Sequence, residues 1–137
     1  MTDRKKILLV EDHSDMRRLM SLFLERAGYD VVEAETGLDA IERATTTQPD
    51  LITMDLGLPD VEGDEAIARL KLNPSTKHIP VIVITAYYGG SPLVESALAA
   101  GACEVLEKPV ALRILEDTLR RVLMPPPNGR ISVRYIE

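Results

Sequence analysis

Residues 6–12 read KILLVED: four consecutive apolar residues that stop abruptly on two carboxylates. A run apolar at every position, without polar alternation, suits a strand covered on both faces. Short runs of this kind recur along the chain, as DVVEA at 30–34, DLITM at 50–54, PVIVI at 80–84 and CEVLE at 103–107. Between them the apolar residues fall at helical spacing. Met16, Leu19, Met20, Phe23, Leu24 and Ala27 follow the i, i+3, i+4, i+7 rule, and Gly28 stands where a helix C-cap belongs. Leu38, Ile41 and Ala44 mark a second helix, and Ala66, Ile67 and Leu70 a third. The fourth is punctuated by Ser91 as N-cap, Pro92 at the first helical position and Gly101 past the end. The fifth runs from about Ala111 to Met124 and is stopped by Pro125, Pro126 and Pro127.

Strand and helix therefore alternate five times. That order predicts a parallel sheet with right-handed crossovers and helices on both faces. A closed eightfold barrel needs about 250 residues, and 137 are present, so an open, doubly wound α/β sheet remains. The length fits one domain. The stretch PPPNGRISVRYIE at 125–137 reads differently: a stiff proline spacer, an Asn128-Gly129 turn signal, then Ile131, Val133 and Tyr135 alternating with polar residues. This pattern predicts either a linker cut short or a short strand that pairs with a sheet edge and builds a homodimer.

Charged residues at 28% and hydrophobic residues at 45% describe a globular chain and not a disordered one. A net charge of −6 argues against a broad basic face for nucleic acid. One cysteine, Cys103, rules out an internal disulfide and points to a reducing compartment. With two histidines beside it, no standard four-ligand zinc site can be assembled. No apolar run approaches the roughly 20 residues that cross a bilayer, and MTDRKKILLV followed by acids is not a signal peptide. The expectation is a soluble cytoplasmic protein.

In an open parallel sheet, ligands bind beyond the carboxyl ends of the strands. Those ends carry Glu11 and Asp12 after the first strand, Asp55 after the third, Thr85 after the fourth, and Lys108 with Pro109 after the fifth. Three carboxylates converging at one edge repel, so a proton or a cation must join them. Hard oxygen donors of this kind suit Mg²⁺. A metal, the Lys108 ammonium and the Thr85 hydroxyl around one carboxylate would receive an anion. Phosphoryl is the natural choice, because an aspartate can act as nucleophile and form an acyl phosphate. Taken singly, each residue has an ordinary reading as a solvated loop acid, a turn former, a β-branched strand residue or a loop lysine. Their coincidence at successive strand ends carries the argument.

Over about residues 4–124 the chain resembles the receiver domain of two-component response regulators, through the stretches LLVEDHSDMRRLM, MDLGLPDVEG, VIVITA and GACEVLEKP. The resemblance implies a CheY-like five-stranded sheet of order 2-1-3-4-5 with five helices, a receiver domain over 1–124 and a tail over 125–137. It makes Asp55 the phosphoacceptor. It makes Asp12, Asp55 and the backbone carbonyl of Gly57 the Mg²⁺ ligands, with Glu11 acting through metal-bound water. Lys108 would bind the phosphoryl group, the Lys108–Pro109 bond would be cis, and Thr85 would hydrogen-bond a phosphate oxygen. The implied role is a signalling switch and not a turnover enzyme. The phosphoryl donor would be a sensor histidine kinase or a histidine phosphotransfer protein, and the output contact with a downstream protein. Direct nucleic-acid or membrane contact is not implied.

One position departs from the pattern. Receivers usually carry Tyr or Phe three residues before the lysine, and here that residue is Val105, too stiff and short to act as a swinging ring. A degenerate receiver that binds partners without phosphorylation is therefore an alternative. A phosphatase working through aspartyl phosphate is a weaker one, since Gly57 stands where its general-acid aspartate belongs. Tyr87 and Tyr88 read as surface residues, although Tyr87 is placed to shield an acyl phosphate and, with Gly57, predicts slow self-dephosphorylation. His13 and His78 read as solvated loop residues. Cys103 reads as a small core residue, Met16, Met20 and Phe23 as core stripe and not a partner groove, and Gly89-Gly90 as a hinge or turn before the fourth helix.

Overall fold

The computed structural model describes residues 4–86 and 91–124. The elements are β1 Lys6–Val10, α1 Ser14–Arg26, β2 Asp30–Ala34, α2 Gly37–Thr47, β3 Leu51–Met54, α3 Gly63–Leu72, β4 Val81–Thr85, α4 Pro92–Ala100, β5 Glu104–Glu107 and α5 Leu112–Leu123. All strand pairs are parallel, in the order β2-β1-β3-β4-β5. This is the predicted doubly wound sheet.

The pleat explains why the central strands are apolar throughout. Leu8, Val10, Ile52, Met54, Val81 and Val83 share one core with Ala40, Ala66, Ile67, Leu70 and Ala97 of α2, α3 and α4. Ile7, Leu9, Leu51, Ile82 and Ile84 share the other with Met20, Leu24, Leu115 and Leu119 of α1 and α5. Successive residues feed opposite faces, so a polar residue anywhere in these runs would enter one core or the other.

Helix ends follow the predicted chemistry. Gly28 and Gly101 adopt φ of +106° and +126°, a region L-residues avoid. The Ser91 hydroxyl accepts the Val94 N–H at 3.2 Å ahead of Pro92. Strand β4 begins at Val81 instead of Pro80 and ends on Thr85. Pro80 has no N–H to give, yet its carbonyl takes the Ile52 N–H at 3.0 Å.

Two residues read as core lie elsewhere. Met16 is 41% exposed, because the inward stripe of α1 runs through Met20, Ser21 and Leu24. Cys103 is exposed. It precedes β5, an edge strand whose side chains are only partly covered. Tyr87, Tyr88, Gly89, Gly90 and the tail from residue 125 lie outside the described residues. Among the described residues no helix is long and apolar enough to cross a membrane.

Candidate functional site

The strand ends bring the chemistry together. Glu11 extends β1 by one residue, its N–H donating to the Ala34 carbonyl at 3.0 Å, and its side chain is buried. The Asp55 N–H points at the Val10 carbonyl at 3.3 Å, which seats the start of the β3–α3 loop beside β1. Lys108 donates its N–H to the Thr85 carbonyl at 2.7 Å, and the Lys108–Pro109 bond is cis. Gly63 opens α3 directly behind Asp55. A Cβ there would lie 2.6 Å from the Asp55 carbonyl oxygen and 2.7 Å from the Leu56 Cα. Only glycine lets the helix close in on this backbone.

Lys108 Nζ donates to Glu11 Oε1 at 2.8 Å and to Asp55 Oδ2 at 3.1 Å. The Gly57 N–H reaches Asp55 Oδ1 at 3.2 Å. His13 is mostly exposed, as predicted, but its Nδ1 stands 2.8 Å from Glu11 Oε2. Burial alone would raise the Glu11 pKa; the hydrogen bonds from Lys108 and His13 outweigh it and hold the carboxyl below its ordinary value. Burial would likewise depress the Lys108 pKa, and its bonds to Glu11 and Asp55 overcome that and raise it. The hydrogen bond to Glu11, then the charge of Asp12, raise the His13 pKa.

Glu11, Asp12, His13 and Asp55 each present a ligand atom, all within 4.8 Å of one another. One Asp12 oxygen, Oδ1, is buried and has no hydrogen-bond partner among the described residues, its charged neighbour being His13. The His13 Nδ1, 3.3 Å away, is engaged by Glu11. A buried carboxylate oxygen left bare costs free energy, and a divalent cation supported by hard oxygens would satisfy it. The donor set therefore fits Mg²⁺.

Of the residues predicted for the site, Glu11, Asp12, Asp55 and Lys108 form one cluster, and Gly57 touches it through its N–H. Thr85 is buried at the end of β4 and holds the Lys108 backbone. Val105 stands opposite Val83 and packs against the core on the α2, α3 and α4 face. Two residues around the site were not singled out in the sequence. Arg17 donates to the Glu11 carbonyl at 2.7 Å and to Glu33 Oε1 at 3.1 Å. Its signal was position: it falls on the inward face of α1, one turn before Ser21. Asp60 accepts the N–H groups of Gly37 and Leu38 at 2.8 and 3.0 Å. After Pro59 it reads only as a turn residue.

The fold and this cluster define a response-regulator receiver. The family profile of the response regulator receiver domain matches residues 7–120, and the chain belongs to that family. It is similar to the polar-differentiation response regulator DivK of Brucella ovis, 33% identical over 120 residues that cover 87% of this chain and 96% of DivK. The structure of the chemotaxis response regulator CheY4 of Vibrio cholerae superposes with a TM-score of 0.81 at 31% identity, covering 88% of this chain and 99% of CheY4. So does the receiver domain of the sensor histidine kinase PA1611 of Pseudomonas aeruginosa PAO1, with a TM-score of 0.81, 29% identity, and coverage of 88% and 98%. That protein holds a magnesium ion in its active-site cleft. Receivers are two-component signalling switches that interact with histidine kinases and downstream effectors, rather than turnover enzymes.

Proposed function

We propose that this chain is a phosphorylation-dependent switch whose phosphoacceptor is Asp55. A phosphohistidine on a sensor histidine kinase or a histidine phosphotransfer protein donates the phosphoryl group. An Asp55 carboxylate oxygen attacks phosphorus, the bond from phosphorus to the imidazole nitrogen breaks, and an aspartyl phosphate forms. Asp12, Asp55 and the Gly57 carbonyl would hold Mg²⁺, with Glu11 acting through water; the ion supplies charge neutralisation at the phosphoryl oxygens. Lys108, which bonds both Glu11 and Asp55, would pair with the incoming phosphoryl anion. Thr85 closes on a phosphate oxygen. The observation that supports the reading is the cluster of Glu11, Asp12 and Asp55 beside Lys108, with a buried Asp12 oxygen that accepts no hydrogen bond among the described residues.

The phosphodonor has to dock where its imidazole reaches this mouth. A groove of about 370 Å³ adjoins it, lined by Met16, Leu19, Met20, Leu112 and Pro109 and sharing Lys108 with the site. Leu19 and Met16 are solvent-exposed there. An apolar helix face of the kinase or phosphotransfer protein fits this surface. The receiver unit spans 1–124 and 125–137 is a tail or a truncated linker, and the lone thiol suits a cytoplasmic setting.

Intact-mass analysis after acetyl phosphate with Mg²⁺ tests the assignment. Wild type should gain one hydroxylamine-labile phosphoryl group, and Asp55→Asn none. No adduct on wild type would establish instead the constitutive interaction module that Val105 suggests.

A further inference from the structure

Two charged side chains, Arg17 and Asp60, tie the loops of the acidic cluster to residues 33–38. Arg17, only 14% exposed, donates one guanidinium nitrogen to the Glu11 carbonyl at 2.7 Å and another to Glu33 on β2 at 3.1 Å. It therefore ties the loop that carries Glu11 and Asp12 to the outer strand. Asp60, in the loop that carries Gly57, accepts from the Gly37 and Leu38 N–H groups at the start of α2. Thr36 already caps that helix through the Asp39 N–H at 3.0 Å, so Asp60 is a second anchor, supplied from a different loop. The loop presses close at this point: a Cβ on Gly37 would meet the Val61 carbonyl at 2.9 Å. Both anchors end on residues 33–38.

We propose that the β2–α2 junction, residues 33–38, is the outer frame of the metal site, and that Arg17 and Asp60 are positioning residues that fix the two ligand-bearing loops against it. The inference rests on the Mg²⁺ reading above. Its physical basis is repulsion. Three carboxylates converge at the strand ends; Lys108 offsets part of their repulsion through Glu11 and Asp55, and what remains pushes the two ligand-bearing loops apart. Each departure from the ligand geometry then has to be reversed on binding. Groups that orient ligands from outside the coordination shell typically change metal affinity by about 10- to 100-fold. Arg17 suits the task because its fork bonds a carbonyl and a carboxylate at once. Asp60 suits it because backbone N–H groups at a helix start hold a carboxylate in fixed directions.

The test measures Mg²⁺ affinity directly, as competition with Mn²⁺ followed by electron paramagnetic resonance on the full chain. Arg17→Met and Asp60→Ala should each weaken Mg²⁺ binding by about tenfold. Arg17→Lys and Asp60→Asn, which keep one of the two bonds, should recover part of it. Leu119→Ala, in the core under α5, is the control for stability alone and should bind as wild type does. Wild-type affinity in Arg17→Met and Asp60→Ala would overturn the frame, as would a proportional loss in Leu119→Ala. Weakening in only one of the two would overturn the two-sided frame. If wild type binds no more tightly than Asp12→Ala, the metal assignment itself fails and the frame with it.

Discussion

Lys108 Nζ lies 2.8 Å from Glu11 Oε1, and 97 positions of chain separate the two. In the metal-free protein this contact neutralises a carboxylate that is only 3% exposed. It couples the end of β5 to the end of β1 across the mouth of the site.

Lys108→Ala removes that cation and leaves Glu11 and Asp55 facing each other. Without metal we expect a loss of about 1–3 kcal/mol, below the cost for a fully buried pair because the lysine side chain keeps 21% exposure. Phosphoryl uptake from acetyl phosphate with Mg²⁺ should persist, since nucleophile and metal ligands remain. The response to phosphorylation should disappear, because nothing is left to hold the phosphoryl group in register with Thr85. Urea unfolding and amide NMR shifts before and after phosphorylation read the two effects separately. Normal uptake together with a normal response would remove Lys108 from the site.

Asp12→Ala should act in the opposite sense on stability. Its buried oxygen accepts no hydrogen bond among the described residues, and its charge adds to the repulsion at the strand ends, which outweighs the exposed His13 ring 3.3 Å away. We expect the metal-free variant to equal or exceed wild type, by up to about 1 kcal/mol. Wild type should gain about 1.4 kcal/mol in Mg²⁺ at ten times its dissociation constant, and the variant nothing. Thermal unfolding with and without Mg²⁺ checks both halves.

Acid should act through Glu11. Its folded pKa is depressed below the ordinary 4.5, so its contribution to stability is present above that value and lost as pH falls through the folded pKa. Lys108 is raised above its ordinary 10.5; its contribution holds below that value and fades only in stronger base. The contribution of this pair should be level between about pH 5 and 10 and fall below about 4.5, while the raised His13 adds a contribution present below its ordinary 6.5 and lost as pH rises through its folded value. Urea midpoints measured from pH 7 to 3 should show that fall, and Glu11→Gln should flatten it. An unchanged slope in the variant would mean that other carboxyls carry the acid sensitivity.

The sheet was legible because each central strand is an apolar run with a polarity switch at its carboxyl end. The same switches mark the strand ends that carry Glu11, Asp12, Asp55, Thr85 and Lys108. What periodicity gives is the direction a residue faces, not how much neighbouring chain covers it. That is why Met16, at the open rim of the groove it shares with Leu112 and Pro109, is exposed, and why Cys103 next to an edge strand is too. Asp60 was illegible for another reason. Its partners are backbone N–H groups 23 and 22 positions away, and backbone donors leave no trace in side-chain identity.

Thr53 offers a separate check on the core. It lies on β3 opposite Leu9 and Ile82, is 1% exposed, and its hydroxyl has no hydrogen-bond partner among the described residues. Thr53→Val keeps the shape and removes the unsatisfied polar atom. Stability should rise by about 1 kcal/mol, seen as a higher urea midpoint at an unchanged slope. A fall would mean that the hydroxyl is paired in solution.

The groove beside Lys108 separates donor docking from the chemistry. Leu19 is 57% exposed and lines the groove without touching the carboxylate cluster. A charge there would be desolvated by an apolar partner, and a charge left buried and unpaired at an interface costs about 2 kcal/mol or more, about thirtyfold in affinity. Leu19→Asp should therefore slow phosphoryl transfer from the cognate phosphohistidine donor by at least about tenfold when donor is limiting. Acetyl phosphate needs no docking surface, so its rate should match wild type. Equal slowing with both donors would mean that the substitution disturbs the site itself. No slowing with either would place the donor on another face, leaving α1 free for a different partner.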